Sequence, residues 1–464
     1  MCAVSHFLRR MLMSSVRELI DSSPMNRVQI RVLLVCLLCN MIEGYDILSM
    51  SIAVVPLSEQ WALSGSQVGT LLAVGPVGMA VGSLVGGPLA DRIGRRPMLL
   101  LSLAVTAVFI GLSATATDLS TLSGYRLLAG IGMGSVLPAL AIITAEFAPA
   151  RKRGFVLGVL STGSGIGGAA GGAAAVLLMN TYEWTAVFLL GGALTAVMVV
   201  IGVVAIPETP DFLASRNTET ARRKLAVVME KMRLTGADKD PRAGRIPVDI
   251  VGGVTSKGAN LRSAVMVMIG LAFMMGTTVM YFAQMWIPKL LVLAGMSANQ
   301  GISGVLLVSL GSVAGGALLA VLSTRISPFV LVFAFTIAGG LMMGVFSLVS
   351  GNLVLAMVVA PLLGLCNQAI VVGVYTLVPA LFGPENRTSA MGIGLGMGRL
   401  SMIVMPLLVG VMIDGGWNPE ALFQIMVLPC VLLLLLIFGM QKFRNRPQRN
   451  APDDASRAVL ESHA

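Results

Sequence analysis

Glu43 and Asp46, in the segment EGYD, are two carboxylates inside an otherwise apolar run, and their three-residue spacing puts them on one face of a helix. Such a pair can load and release a proton if a nearby cation keeps one group ionised while desolvation and like-charge repulsion hold the proton on the other. Arg126, in another apolar run, is the candidate cation; the plainer alternative is a static ion pair that pins the two runs together. Histidine is the usual relay near neutral pH, but the only two, His6 and His463, lie near the chain ends, so the relay has to be carboxylate. Arg399, in MGIGLGMGRLSMIV (391–404), has no acidic side chain near it in its own half. A lone cation in lipid needs an anion, and a substrate carboxylate is the natural one. A salt bridge to Asp46, or hydrogen bonds to backbone carbonyls, would also satisfy it. No nucleophile–base set or metal-ligand cluster accompanies these groups, so no enzyme activity and no cofactor are expected.

The elements that must position these residues are set by composition. With 56% hydrophobic and 12% charged side chains over 464 residues, the chain is too apolar for an ordinary soluble surface. Crossing about 30 Å of hydrocarbon takes roughly 20 residues, which predicts spans near 30–55, 67–90, 98–116, 122–147, 155–178 and 185–206. A second six follow near 264–287, 301–322, 328–350, 353–381, 389–413 and 420–440. The expected organisation is a tail (1–29), a six-helix bundle (30–206), a polar linker (207–262), a second bundle (263–440) and a second tail (441–464). No small-residue cleavage site closes the first run, so it is expected to stay in the protein.

The net charge of +10 does not require an acidic partner such as nucleic acid. Arg9, Arg10, Arg17, Arg27 and Arg31 precede span 1, Arg92, Arg95 and Arg96 follow span 2, and Arg151, Lys152 and Arg153 follow span 4. Lys442, Arg444, Arg446 and Arg449 continue the pattern, while the opposite loops carry only Lys289 clearly. Positive charge accumulates on the cytoplasmic side, so both termini and the linker are expected there. Counted from residue 30 at about 1.5 Å per residue, Glu43 and Asp46 lie roughly 20 to 24 Å deep. Arg126, entering from the other side near residue 122, lies about 6 Å deep, close to the level of Asp46, and Arg399 falls near the bilayer centre. Cys36 and Cys39 on an apolar face read as packing residues.

Three matches at nearly one offset indicate an internal duplication. LSGSQV (63–68) answers to MSANQG (296–301), GGPLADRIGRRP (86–97) to GGALLAVLSTRISP (315–328), and PARKRG (149–154) to PENRTS (384–389). The segment 86–97 resembles the signature between the second and third helices of the major facilitator superfamily, and RLLAGIGMG (126–134) resembles that superfamily's second motif. The resemblance covers essentially the whole chain. It implies an all-α membrane protein of twelve helices in two pseudo-symmetric six-helix bundles that alternates access between the two faces. Asp91, Arg92, Arg95 and Arg96 would then form ion pairs at the cytoplasmic gate, with Glu146 pairing to Arg92 or Arg151 and Arg387 at the same mouth.

EGYD itself is similar to an element of the aromatic acid:proton symporters, although Glu43 stands where Asp is more usual. That likeness implies import of a benzoate-like or hydroxybenzoate-like carboxylate with a proton across a bacterial inner membrane, by a monomer; a non-aromatic anion such as muconate, or a polyol, is the alternative. Tyr45, Tyr281, Gln284, Asn367 and Gln368 are candidates to hydrogen-bond or stack on the substrate, or else to join helices. Trp286 reads as an interfacial anchor beside Lys289. Gly163, Gly167 and Gly171 give span 5 a face that a neighbouring backbone can approach closely. PETPDFL (207–213) resembles a linker motif of symporters and sugar porters. The proline of the drug-antiporter motif is missing from 157–172, which argues against export.

Overall fold

A computed structural model describes residues 16–179, 182–216, 218–234 and 259–444 of the protein. Outside these fall His6, His463, Cys2, the arginines at 9, 10, 446 and 449, and residues 235–258 of the connecting segment. Twelve helices among the described residues are long and apolar enough to cross a membrane. Spans 1 to 6 are Arg27–Gln60, Gly65–Ile93, Arg95–Ser113, Leu119–Phe147, Ala150–Met179 and Thr185–Ala205; spans 7 to 12 are Ser263–Leu293, Ala298–Leu322, Pro328–Val349, Leu353–Leu381, Ser389–Asp414 and Pro419–Phe443. Short helices at Pro210–Ser215 and Glu219–Lys231 begin the connection between the halves.

Most helices outrun their apolar cores because polar caps extend them. Asn26 accepts a hydrogen bond from the Gln29 backbone while the Gln29 side chain accepts from Asn26, so span 1 begins a turn before its apolar run. Spans 2 and 8 start with the same reciprocal cap, Ser64 with Gln67 and Ser297 with Gln300, which gives the duplicated LSGSQV and MSANQG a shared local structure. Asp118 caps span 4; its bonds from Ser120 and Thr121 hold its carboxyl down at about 2.

Lipid supplies no hydrophobic drive between helices, so close packing has to come from small residues. Gly78 and Gly82 of span 2 meet the backbone of Leu127 and Ile131 on span 4. Their counterparts Gly311 and Gly315 of span 8 meet Pro361 and Leu365 on span 10, the same contact repeated in the second half. Span 5 packs on span 1 through Gly163 against Leu37 and Asn40, Gly167 against Met41, and Gly171 against Tyr45. A second face of span 5, Gly165 and Gly172, meets Val313 and Leu306 of span 8 across the two bundles.

As tight as the Gly167 contact is that of Gly44, where any Cβ would run into the Ser164 backbone of span 5. Backbone on one side and backbone on the other cannot yield as a flexible side chain can. Gly44→Ala is therefore expected to cost about 1–3 kcal/mol or more of packing, read as a lower yield of monodisperse protein and a lower unfolding midpoint in detergent.

Candidate functional site

The two bundles meet on the face opposite the basic loops. Gly65 and Gly69 of span 2 lie against Gly410 and Pro406 of span 11. Ser51 of span 1 donates to the Gln284 and Met285 carbonyls of span 7, and Lys289 Nζ donates to Ser58 Oγ at 2.7 Å. Asp414, at the end of span 11, accepts from the Gly65 and Ser66 amides at 2.6 and 2.9 Å, two of the donors that a helix start leaves unbonded. On the basic face, no ion pair among the described residues joins one half to the other. Among the described residues, the polar contacts between the halves thus lie on this face, and Asp414→Ala should loosen them. In a background without native cysteines, Ser51→Cys is expected to react with maleimide severalfold faster once Asp414 is removed; an unchanged rate would show that Asp414 holds nothing.

At the centre of span 1, Asp46 and Arg126 form a buried ion pair, Nη1 to Oδ1 2.8 Å, with side chains only 6% and 5% exposed. Arg126 Nη2 also donates to the Asp46 carbonyl at 3.4 Å, and its guanidinium lies over the Phe188 ring at 5.5 Å. The depth count from the two helix starts thus matched these residues. Both carboxylates were expected within reach of the arginine, but Glu43 makes no ion pair among the described residues and its Oε2 has no hydrogen-bond partner, although it is buried. The reason is helical geometry: three residues advance about 4.5 Å along the axis and about 300° around it, so span 4 meets one carboxylate and not the other.

Arg399 of span 11 lies within electrostatic reach of Glu43, and likewise of Tyr281 on span 7 and Tyr375 on span 10. It is half-buried and forms no ion pair or hydrogen bond among the described residues, so neither Asp46 nor backbone carbonyls satisfy it. Gly394 and Gly398 set its position by letting span 11 close onto Phe273 and Thr277 of span 7. Phe273 in turn stands edge-on to Tyr375, ring centroids 4.9 Å apart. Two carboxylates and two arginines therefore converge from spans 1, 4 and 11, with one acid and one base unpaired and two tyrosines alongside.

Other expected substrate contacts turn elsewhere. Tyr45 is 2% exposed, fills the space beside Gly171 and Gly191, and donates to the Val187 carbonyl at 2.5 Å; it packs spans 5 and 6 on span 1 and does not face Arg399. Asn367 is 1% exposed and its Oδ1 is directed to Gly339 of span 9, while Gln368 lies against Gly316 of span 8. Gln284 is half-buried on span 7, one turn from Tyr281. Trp286 is fully buried rather than interfacial, because spans 1 and 7 meet at this level.

Of the expected gate residues, Asp91, Arg95 and Glu146 form a network within the first half. Arg95 pairs with Asp91 at 3.1 Å and with Glu146 at 3.5 Å, so Arg95 takes the place expected of Arg92 or Arg151. Arg92 is exposed; its carbonyl and that of Asp91 accept from Arg216. Arg96 donates to the Val203 carbonyl at 2.6 Å, and Arg387 is exposed. Gly94, at φ +112°, makes the sharp turn that a side chain would resist, and the Glu208 carboxylate occupies the space beside it while accepting from the Arg95 and Arg96 amides. Arg17 joins this network through the Glu146, Ala145 and Ala148 carbonyls and Asp211. Burial holds the Asp211 carboxyl above the ordinary range, against the pull of Arg17. Glu208, Arg17, Asp211, Arg216 and Asp414 were missed as site residues; the one available signal was a charge at a span boundary in a chain with few charges.

Comparison with known proteins agrees with this architecture. The 4-hydroxybenzoate transporter PcaK of Pseudomonas aeruginosa is 26% identical over 90% of this chain and 93% of its own. The gallate transporter of Pseudomonas putida is 27% identical over 94% and 98%. Among solved structures, the inward open xylose transporter XylE of E. coli superposes with a TM-score of 0.70 at 17% identity, covering 93% of this chain and 99% of that one. A family model described as Major Facilitator Superfamily matches residues 34–363 and again 329–462. With twelve apolar helices in two like halves and that match over most of its length, the chain is a multi-pass membrane transporter, not an enzyme, and belongs to the Major Facilitator Superfamily.

Proposed function

We propose that the protein is a proton symporter that imports a small aromatic carboxylate, of the benzoate or hydroxybenzoate kind, across a bacterial inner membrane. It works by alternating access as a monomer, with the basic face and both termini in the cytoplasm and no nucleic-acid partner. The observation that carries this reading is Arg399, a half-buried guanidinium that forms no ion pair among the described residues, within electrostatic reach of two tyrosines and of the Glu43 carboxyl. A planar fork of donors suits a carboxylate, and tyrosine rings suit an aromatic body. Tyr281 is the further substrate contact in this reading, with Gln284 one turn along the same helix; Tyr45, Asn367 and Gln368 serve packing. Relatives named for 4-hydroxybenzoate, gallate and benzoate support the substrate class.

The charge arrangement supports coupling. Asp46 is bonded to Arg126, whereas Glu43 forms no ion pair among the described residues, and in this reading Glu43 carries the proton. A carboxylate arriving at Arg399 adds an anion near Glu43, and like-charge repulsion favours proton and substrate binding together. Asp91, Arg92, Arg95, Arg96, Glu146 and Arg387 act in opening and closing the basic face. Uptake of labelled benzoate, 4-hydroxybenzoate, gallate, gentisate, muconate and xylose into cells, with and without a protonophore, tests the reading. Protonophore-sensitive uptake of the aromatic acids is expected; uptake of muconate or xylose alone, or indifference to the protonophore, would overturn it.

A further inference from the structure

Spans 1 and 5 hold together tightly from Gly171 to Gly163 and then part towards the basic face. Beyond Gly163 the next glycines of span 5, Gly158 and Gly154, meet nothing within van der Waals reach, and Leu160, Val159, Val156 and Phe155 line a gap between the two helices. The gap is a groove of about 490 Å³, counted out to its open side, lined by Ile30, Leu34 and Leu37 of span 1 and by Phe155, Val156 and Val159 of span 5. Thr144 of span 4 supplies the one polar side chain of its wall. The groove does not open towards the transport site. Val159 lies on the side of span 5 turned away from Gly165 and Gly172, which face the other bundle. Phe155 at 74% and Leu34 at 54% exposure present their surfaces outward, where the bilayer covers the protein.

Four cations rim the end of this groove. Arg27 and Arg31 stand one helical turn before Ile30 and Leu34, and Arg151 and Lys152 one turn before Phe155 and Val156. Residues three or four apart share a helix face, so each cation extends the groove wall towards the headgroup level. All four are exposed, and none forms an ion pair among the described residues, in contrast to Arg17, Arg95 and Arg153 close by. An apolar slot that ends in unpaired positive charge matches one chemistry, an acyl chain joined to a phosphate.

We propose that this groove is a binding site for one anionic phospholipid, with an acyl chain between spans 1 and 5 and the phosphate among Arg27, Arg31, Arg151 and Lys152. A lipid seated there bridges spans 1 and 5 on the basic face. It also accounts for basic residues beyond those needed to orient the chain in the membrane.

The test is native mass spectrometry of the full-length protein in detergent, titrated with phosphatidylglycerol and, separately, with phosphatidylcholine of the same chains. Wild type is expected to retain one phosphatidylglycerol in clear preference to phosphatidylcholine, and sn-glycerol 3-phosphate, the headgroup alone, should not displace it. Replacing all four cations with glutamine should weaken retention several hundredfold, at roughly fivefold per charge. Val159→Trp, which fills the groove and keeps every cation, should also abolish it, and replacing the three arginines with lysine should restore most of it. Folding of each variant is checked by its monodispersity. Equal retention of both lipids, displacement by the headgroup alone, or undiminished binding by either the charge-free or the groove-filled variant would overturn the proposal.

Discussion

Glu43→Gln is expected to abolish substrate accumulation against a gradient while leaving exchange of labelled for unlabelled substrate intact. Glutamine has the shape of a protonated glutamate, so the variant is fixed in its proton-loaded form. Exchange needs only that the loaded carrier reorient, whereas accumulation requires the proton to leave on the inner side. Glu43 suits this test because it has no cation bonded to it and its Oε2 is unpartnered, so the substitution strands no charge. Asp46→Asn differs in kind. It leaves Arg126 buried without its carboxylate, a loss of about 3–5 kcal/mol for a broken buried pair, and should reduce folded protein along with both modes of transport. The double variant Asp46→Asn/Arg126→Gln should recover folded protein without recovering transport. Wild-type accumulation by Glu43→Gln would move the proton to another group, and unimpaired accumulation by Asp46→Asn would reduce the ion pair to a pin between spans 1 and 4.

The parts of this site that could be read from sequence are those fixed by one-dimensional geometry. Charges in lipid are scarce, a helix rises at a constant rate, and so the level of Asp46 and Arg126 could be counted from the ends of two apolar runs. The twelve spans follow from the same length argument, and the duplication at 63–68 and 296–301 corresponds to two matching caps. What the count does not provide is direction around the helix. Glu43 and Asp46 share a face loosely, but the span 4 arginine meets one of them, and Tyr45 turns to spans 5 and 6 because Gly171 and Gly191 leave room for its ring. Those glycines lie far away in sequence, and only tertiary packing brings them to Tyr45. Glu208 and Asp414 were hidden for a related reason. A carboxylate at the end of a span is ordinarily solvated, and nothing local shows that it serves the unbonded amides of another helix.

Arg399→Lys should separate the substrate's charge from its shape. Lysine preserves the positive charge near Glu43 but replaces a planar fork with a single point donor on a flexible stem, so a carboxylate loses one of two parallel hydrogen bonds. A hydrogen bond to a charged group contributes about 1.5–3 kcal/mol, which corresponds to about 10- to 100-fold weaker binding of an aromatic acid. Arg399→Gln removes the charge as well and should lose transport of any carboxylate. The amide or alcohol analogue of the same aromatic body provides the control, since its binding rests on Tyr281 and Tyr375 and should change little in the lysine variant. Equal weakening of acid and amide would mean that Arg399 positions spans 7 and 11, through the contacts of Gly394 and Gly398, rather than holding the substrate's charge. The two arginines inside the spans thus call for opposite outcomes. Removing Arg126 should be partly compensated by neutralising its partner Asp46, whereas Arg399 is bonded to no carboxylate among the described residues, and in the proposed reading the anion that completes its site arrives with the substrate.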